Sequence, residues 1–365
     1  MKRISLFLLL FLLLKATVMY SQDGHPETNF RIVPVSPNAA SLGTYGLIPT
    51  DNYVGQARIS IPIYEIDLDG KKFPIALSYH TDGTRVAQEA TWIGLGWTLQ
   101  AGGCVVRQVQ GTDDFAARGC YNLTDAPWLT NPRFEVTDQN LEKYMGYFKG
   151  DYDAEPDMFY FNAGGHSGSM YFDVLKNNRQ LNAVPTIQTQ EKAAKMAYNT
   201  SNKTWTMTDL EGYVYSFSTK EITYYFLNTI DFFQTDITRS HIFPYYNEPQ
   251  IVTAWMLDSV TSPNGGKIMF SYKKESIFTP ISTTEDVISL SKIVNGQLSS
   301  QSPQYFTNKF NYNYSYSKIE QWTLSAITFE GGKVEFGTTD REDIESAETG
   351  KKVQKLSSIK VSDTA

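Results

Sequence analysis

Residues 57–79 read ARISIPIYEIDLDGKKFPIALSY, and this stretch decides the fold class. Apolar and polar residues alternate on both sides of the pair Asp69-Gly70. Alternation of period two around an Asp-Gly pair predicts two antiparallel strands joined by a tight turn. Because Pro62 and Pro74 lack a backbone N–H donor, we expect these strands to lie at a sheet edge or to carry bulges.

The same hairpin pattern recurs along the chain. Turn-forming residues separate alternating runs at Gly164-Gly165 and again at residues 209–212. Two later segments are similar enough to be copies of one unit, in which a tryptophan precedes a Gly-Gly pair: Trp255 with Gly265-Gly266, and Trp322 with Gly331-Gly332. We therefore expect an all-β fold of large antiparallel sheets, a sandwich or an open barrel-like arrangement, built from successive β-hairpins.

Helix is expected in only one or two short segments. In residues 138–148 Asp138 is a suitable N-cap, and four apolar residues share one helical face: Leu141, Tyr144, Met145 and Phe148. Residues 191–198 predict a second short helical turn. The expected organisation is a signal peptide (1–21), an N-terminal β domain (22–135), a helical connector (136–152) and a β-hairpin region that either stands alone or continues the first sheet (153–365).

Composition excludes several classes of protein. The chain has 365 residues, of which 41% are hydrophobic, 14% aromatic and 19% charged. This is too apolar for an intrinsically disordered protein, which cannot bury enough surface to fold. The formal net charge of −7 leaves no basic surface for phosphates, so we expect no nucleic-acid partner.

The N-terminus has the pattern of a secretory signal peptide. Lys2 and Arg3 precede an apolar run over residues 4–14, and a more polar segment follows it. The run is too short to cross a bilayer as a helix, and Lys15 interrupts it. We expect cleavage near Ser21, no transmembrane segment, and a secreted protein that is extracellular, at the cell surface or in the periplasm.

The two cysteines leave two interpretations open. Cys104 and Cys120 are close in sequence and, in an oxidising compartment, are candidates for a disulfide that closes one small loop. The alternative is two separate buried thiols. Sequence does not give the Cα separation on which the choice depends.

Few residue patterns indicate a catalytic, metal-binding or cofactor-binding site. None of the four histidines has a second His or Cys at ligand spacing, so a transition-metal site has no support. No nucleophile elbow, phosphate-binding loop or dinucleotide fingerprint is present, and no catalytic residue is assigned. Calcium is the one candidate cofactor, because four carboxylates crowd one loop: Asp151, Asp153, Glu155 and Asp157. The alternative is that this loop is a solvated turn.

The densest motif is WIGLGWTLQAGGCVVR, residues 92–107. Glycines allow tight turns and close backbone approach, and the two tryptophans bury large rings before a strand that ends in arginine. We assign a structural role to seven of these residues: Trp92, Gly94, Gly96, Trp97, Gly102, Gly103 and Arg107.

In context, this motif resembles the N-terminal region of secreted RHS/YD-repeat proteins, related to the SpvB-like start of the B component of insecticidal toxin complexes. Other blocks match in order, including residues 74–79 (PIALSY) and 155–162 (EPDMFYFN), and the match covers nearly the whole mature chain. The resemblance implies a β-rich head that leads into a hollow shell of Tyr-Asp repeats around a toxin or effector. No such repeat array occurs within these 365 residues.

We therefore expect a secreted, non-enzymatic scaffold or binding module that has an unidentified protein or glycan partner and associates with a downstream repeat shell or effector. One alternative is a carbohydrate- or surface-binding protein with an exposed aromatic strip: Tyr224, Tyr225, Phe232, Phe233, Tyr245 and Tyr246. A second alternative is a secreted glycan-active enzyme, which needs two carboxylates converging across a cleft. The acidic clusters that could supply them include Asp113-Asp114 and residues 340–345.

Overall fold

The structure is a computed structural model. It describes residues 59–80, 86, 88–111, 113–117, 119–122, 137, 141, 145–146, 153, 155–175, 181–189, 192, 194–231, 250–280, 282–288, 293–294, 297–298 and 309–363. The predicted signal peptide, residues 1–21, lies outside the described residues. Within the described part, no helix has the length and apolar character needed to cross a membrane.

The first half of the chain contributes β1 Ile59–Leu68, β2 Lys71–Tyr79, β3 Trp97–Gln100, β4 Gly103–Gln108, β5 Met158–Ala163, β6 His166–Leu175, β7 Leu181–Thr189, β8 Ala194–Asn199 and β9 Thr204–Asp209. The second half contributes β10 Val214–Asp231, β11 Gln250–Thr261, β12 Lys267–Phe278, β13 Ser282–Ile288, β14 Ile293–Val294, β15 Gln297–Leu298, β16 Lys309–Phe329, β17 Gly332–Asp340 and β18 Gln354–Asp363. A short 3₁₀-helix covers Cys120–Asn122.

The all-β prediction is confirmed. These strands form antiparallel sheets of thirteen, three and two strands, and the described part of the chain holds no helix of seven or more residues. Every predicted hairpin turn is present. At the first one, Asp69 and Gly70 have φ values of 51° and 93°, the left-handed pair that a two-residue hairpin turn requires.

Part of the large sheet curls into an open, barrel-like arrangement. Eight strands follow one another in the order β7-β6-β5-β4-β11-β10-β9-β8. Aromatic rings from distant strands meet inside. Trp205 of β9 lies 5.2 Å from Phe159 of β5 and 5.6 Å from Phe172 of β6, measured between ring centroids. These three aromatic residues therefore fill an interior.

The three-stranded sheet, in the order β1-β2-β3, packs on the rest of the large sheet. Ile66, Ile75 and Leu99 of the small sheet belong to the same buried core as Ile268 and Ile327 of the large one. This core is continuous with the interior of the barrel-like arrangement. The molecule thus combines an open, barrel-like arrangement with a two-sheet sandwich.

The expectations for the two prolines are confirmed. Strand β1 is an edge strand, and its register with β2 shifts between Pro62 and Tyr64. Pro74 lies in the part of β2 that pairs with β1 alone, because the pairing of β2 with β3 begins at Ala76. Pro62 therefore lies beside the bulge of an edge strand, and Pro74 has a pairing partner on one side only, where a missing N–H donor is tolerated.

The helical turn expected over residues 191–198 is wrong. Strand β8 occupies most of this stretch and pairs with β9, and Ala194 and Met196 are buried at alternating positions. Of the helix expected over 138–148, only Leu141, Met145 and Gly146 are described. All three are helical, and the side chains of Leu141 and Met145 are exposed, so at these two positions no apolar face is buried.

Strand β4 crosses the boundary that the sequence suggested between two β regions. It comes from the predicted 22–135 region and lies between β5 and β11 of the 153–365 region. One sheet therefore contains strands from both regions. The domain limits themselves stay a prediction.

Candidate functional site

The arginine that ends the densest sequence motif lies at the centre of a buried charged cluster. Arg107 is near the end of β4, where it pairs with Phe159 of β5. Strand alternation places Val105 and Arg107 on one face of β4 and Cys104 and Val106 on the other. Since Val105 belongs to the main core, the guanidinium enters the same interior, where the residue is 1% exposed.

Two aspartates bind the Arg107 guanidinium. Its Nε donates to Oδ2 of Asp157 at 2.8 Å, and its Nη2 donates both to Asp157 and to Asp113. Its Nη1 reaches the carbonyl oxygen of Val252 at 3.5 Å. Asp157 comes just before β5, so the pairing of β4 with β5 brings the two oppositely charged side chains together.

Aromatic rings enclose the same guanidinium. Its Cζ lies 4.8 Å from the ring centroid of Phe115 and 5.7 Å from that of Phe159. A desolvated cation over an aromatic face is stabilised by the ring quadrupole. The arginine is therefore held by carboxylates in its plane and by rings beside it.

Asp114 and Asp157 lock two chain segments together. The Asp157 N–H donates to Oδ2 of Asp114 at 3.0 Å, and the Asp114 N–H donates to Oδ2 of Asp157 at 3.2 Å. The Gln110 N–H adds a bond of 2.7 Å to Oδ1 of Asp157. The cluster thus joins β4, the 110–115 segment and the chain that enters β5.

The carboxyl groups of the cluster differ in their electrostatics. Burial raises the pKa of Asp114 to about 8, and the negative charge of Asp157 adds to the rise. Burial also raises the pKa of Asp157, while Arg107 and the N–H groups of Gln110 and Asp114 oppose that rise. Burial therefore favours the protonated form of Asp114, and the hydrogen bonds from the Arg107 guanidinium favour the charged form of Asp157.

The described members of the calcium candidate have other partners or face solvent, and the calcium site stays a prediction. Asp157 is wholly buried and bound by Arg107, Glu155 is exposed, and Asp153 is buried and accepts the Glu155 N–H at 2.9 Å. Asp151 lies outside the described residues. Among the residues that the structure describes, no group of three or more His, Cys, Asp or Glu side chains is arranged to hold a metal ion.

The disulfide interpretation is also corrected, since Cys104 and Cys120 are both buried free thiols. Cys104 packs with Val106 and Met256, on the face of β4 opposite to Arg107. Cys120 lies on the Arg107 side, in the electrostatic reach of Asp114 and of other acids of the cluster. The sheet separates the two sulfur atoms.

The tryptophan–glycine loop before β3 is closed by one threonine, which the sequence reasoning did not single out. Thr91 Oγ1 donates to the carbonyl oxygens of Gly94, at 3.1 Å, and Trp97, at 2.8 Å. Gly94 and Gly96 have φ values of 140° and 76°, which side chains rarely adopt. The loop is thus built as the motif predicted.

The two tryptophans anchor this loop in different places. Trp92 is buried in the main core, with its ring centroid 6.4 Å from that of Phe336 on β17. Its carbonyl oxygen accepts the Leu356 N–H at 2.8 Å. Trp97 is half-buried and contacts Tyr79 at 5.1 Å between ring centroids. The loop therefore connects the small sheet to the β17–β18 hairpin.

Close backbone approach explains the Gly-Gly pair. A Cβ on Gly103 would lie 2.3 Å from the carbonyl oxygen of Asn162 on β5, which leaves no room for a side chain. Gly102 has a φ of 89° and faces the Phe270 ring. The pair places β4 against β5, and with it Arg107 against Asp157.

A second charged cluster was not found from sequence. Lys71 Nζ, at the start of β2, lies 2.5 Å from Oδ2 of Asp209 and 2.9 Å from Oε2 of Glu211. The Tyr215 hydroxyl donates to the same Asp209 oxygen at 3.1 Å, and the Tyr213 N–H donates to Oδ1 at 2.9 Å. The only sequence signal was the turn at residues 209–212, which predicts a hairpin and says nothing about its partner.

The remaining candidates are dispersed. Tyr224 and Tyr225 of the predicted aromatic strip are half-buried, and its other four members lie outside the described residues. Asp113 and Asp114 belong to the Arg107 cluster. In the 340–345 group, Asp343 accepts hydrogen bonds from Arg341 at 2.7 and 2.6 Å. These described carboxylates are engaged with neighbouring groups.

Comparison with known proteins gives little further information. No family model matches the chain, and no curated protein matches it in sequence. Among solved structures, the N-terminal domain of the effector protein SpvB from Salmonella typhimurium strain LT2 aligns with 84% of this chain and 99% of that chain. The TM-score is 0.30 and the identity 9%, so the likeness is distant, and no functional conclusion is drawn from it.

Proposed function

We propose that this chain is a secreted, non-enzymatic β scaffold of the RHS/YD-repeat head type that acts outside the cytoplasm. It binds a protein or glycan partner or associates with a downstream repeat shell. The main support for this proposal is a contact between two parts of the sequence. Two sequence blocks that take part in the family resemblance, residues 102–107 and 155–162, meet each other in the Arg107 cluster. Their charged side chains bind one another in the interior.

This arrangement favours a structural role for the motif. A catalytic arginine or carboxylate has to reach a substrate, whereas Arg107, Asp114 and Asp157 are each at most 1% exposed. Their hydrogen bonds join three segments of backbone. A cluster of this kind stabilises a defined sheet geometry, which is what a scaffold has to maintain.

Export tests the secretion part of the proposal. The full chain, with its leader and a C-terminal tag, is expressed in a Gram-negative host, and intact-mass analysis is run on each cellular fraction. We expect a mature protein that begins near residue 22 in the periplasm or the medium. A version without residues 4–14 is the control and stays in the cytoplasm. An exported fraction that lacks the protein would overturn secretion.

Glycan turnover tests the non-enzymatic part. The purified chain is incubated with a panel of oligo- and polysaccharides, and new reducing ends are measured. We expect none above the level of a heat-unfolded sample. New reducing ends that disappear in a folded variant with one carboxylate replaced would identify a glycan-active enzyme instead.

A further inference from the structure

The small sheet and the large sheet do not fill all the space between them. A cavity of about 230 Å³ lies at their junction. Its apolar wall comes from both sheets: Ile66, Ile75 and Leu99 on one side, and Leu257, Ile268 and Ile327 on the other. All six of these side chains are at most 6% exposed, so this wall belongs to the main core, whereas Lys72 and Pro74 of the lining are exposed to solvent.

Part of the lining is polar or bare backbone. Two Gly-Gly segments, Gly102-Gly103 and Gly164-Gly165, contribute to the lining together with Thr98, Gln100 and Asn162. A Cβ added at Gly165 would meet no atom within 4 Å, and one added at Gly102 would meet only the Phe270 ring and the Tyr272 hydroxyl. Polar backbone thus lies beside an apolar chamber.

The lining residues that are described offer no free cation for an acid. Lys72 is the one charged residue of this described lining, and its exposed Nζ already lies 2.9 Å from Oδ2 of Asp67 and 3.6 Å from Oε1 of Glu65. Burying a carboxylate beside the apolar wall without a paired cation is costly, whereas a hydroxyl or amide head group carries no charge.

The size of the cavity limits the ligand. An apolar protein cavity of about 150 Å³ binds benzene, so by the same ratio 230 Å³ accommodates about nine heavy atoms. The branched aliphatic side chains of the wall suit a saturated chain.

We propose that this cavity is a binding site for an uncharged aliphatic molecule of about eight carbons that has a small hydroxyl or amide head group. The aliphatic part of the ligand fills the empty space next to the six core side chains. Binding at this site is independent of the scaffold role.

Calorimetric titration of the purified chain with n-octanol tests the proposal. We expect saturable binding of one molecule per chain. In a series from hexanol to octanol, each added methylene tightens binding about fourfold, because each buries a further CH₂ group. Alcohols much longer than decanol, and octanoate at neutral pH, bind at least about tenfold more weakly than octanol.

A cavity-filling variant locates the site. Ala101 lines the cavity, and Ala101→Phe places a ring in the space that the ligand needs. Ala197→Phe is the matched control, since Ala197 is exposed on β8 and away from the cavity. We expect Ala101→Phe to weaken octanol binding at least about tenfold and Ala197→Phe to leave it unchanged.

Three outcomes would overturn the proposal: no saturable octanol binding, equal binding of octanoate and octanol, or unchanged binding in a folded Ala101→Phe protein. If Ala101→Phe fails to fold, the dependence of binding affinity on alcohol chain length still tests the proposal. Affinity that keeps rising past decanol would indicate an open apolar surface and not a closed cavity.

Discussion

Asp157 accepts a hydrogen bond from Nε of Arg107 at 2.8 Å, in a place where the two side chains are 0% and 1% exposed. The contact joins the strand that ends the tryptophan–glycine motif to the segment that opens the next block of sequence. A buried ion pair stabilises a fold only while both partners are present, since either one alone is an uncompensated buried charge. This pair is therefore the point at which a structural role for the motif can be tested.

The pH dependence of stability should reveal the protonated carboxyl of the cluster. Burial and the charge of Asp157 raise the pKa of Asp114 from 3.8 to about 8. A carboxyl with a raised folded-state pKa contributes stability fully below its unfolded pKa and loses it as the pH rises through the folded pKa. We therefore expect the Asp114 contribution to the free energy of unfolding to decline between about pH 4 and pH 8.

Asp114→Asn isolates this effect, because an amide keeps the oxygen that accepts the Asp157 N–H and cannot ionise. Urea unfolding at about pH 5 and about pH 9 should show the variant gaining about 4 kcal/mol relative to wild type at the higher pH. Asp363→Asn, at an exposed position of β18, serves as the control. Parallel pH profiles for Asp114→Asn and wild type would show that Asp114 is ionised in the folded protein.

Gly103→Ala should be the most damaging glycine substitution in the motif. Its Cβ would lie 2.3 Å from a backbone carbonyl oxygen of β5, and backbone cannot move aside as a flexible side chain can. We expect a loss of about 3 kcal/mol in the free energy of unfolding. Gly70→Ala is the matched control, because a Cβ there meets nothing within 4 Å and the cost is limited to its φ of 93°, about 1 kcal/mol. Equal losses in the two variants would rule out the clash.

Lys71→Met should weaken the contact between the small sheet and the β9–β10 turn. Burial alone would raise the pKa of Asp209. Hydrogen bonds from Lys71, Tyr213 and Tyr215 outweigh this effect and hold the pKa below its usual value. Such a group stabilises the fold above its unfolded pKa and loses this contribution as the pH falls through the lower folded pKa. We expect Lys71→Met to cost about 2 kcal/mol at neutral pH and much less below about pH 3.

The neighbouring lysine provides the control for this substitution. Lys72 is 55% exposed, and its ion pairs with Asp67 and Glu65 lie in solvent, so Lys72→Met should unfold at the same urea concentration as wild type. If both variants lose stability equally, Asp209 does not depend on Lys71.

The cysteines should behave as buried thiols. Burial raises the pKa of both Cys104 and Cys120 well above the usual thiol value, so neither should form a reactive thiolate in the native protein. Titration with a thiol reagent should detect two groups per chain in denaturant and none before unfolding. A reducing agent should leave the unfolding midpoint unchanged. A midpoint that falls on reduction would indicate a disulfide.

Local features of the fold were predictable because neighbouring residues determine them. Asp69-Gly70 has the turn chemistry of a hairpin, and Pro62 coincides with a register shift in the edge strand. The motif glycines at 94, 96 and 103 lie where backbone conformation or close approach demands them. Residues 191–198 misled the sequence reading, because Ala, Lys and Met favour helices in isolation and strand pairing overrides that preference.

Long-range partners were not predictable in the same way. Arg107 and Asp157 are 50 residues apart, and Lys71 and Asp209 are 138 apart. From sequence alone, the acids near position 155 were candidates for calcium ligands or for a solvated turn. The sequence does not show that strand pairing places Arg107 of β4 beside Asp157. The thiol separation likewise depends on which face of β4 Cys104 occupies.

The most direct test of the structural role of the motif is a double-mutant cycle on Arg107 and Asp157, measured by urea unfolding at neutral pH. We expect Arg107→Met and Asp157→Leu each to cost about 4 kcal/mol. The double variant should cost less than their sum by at least about 2 kcal/mol, since removing both partners leaves neither of these two fully buried charges without the other, and the remaining Asp113 carboxylate is 22% exposed. Strictly additive losses, with a coupling below about 0.5 kcal/mol, would contradict the account of Arg107 and Asp157 as a buried structural pair.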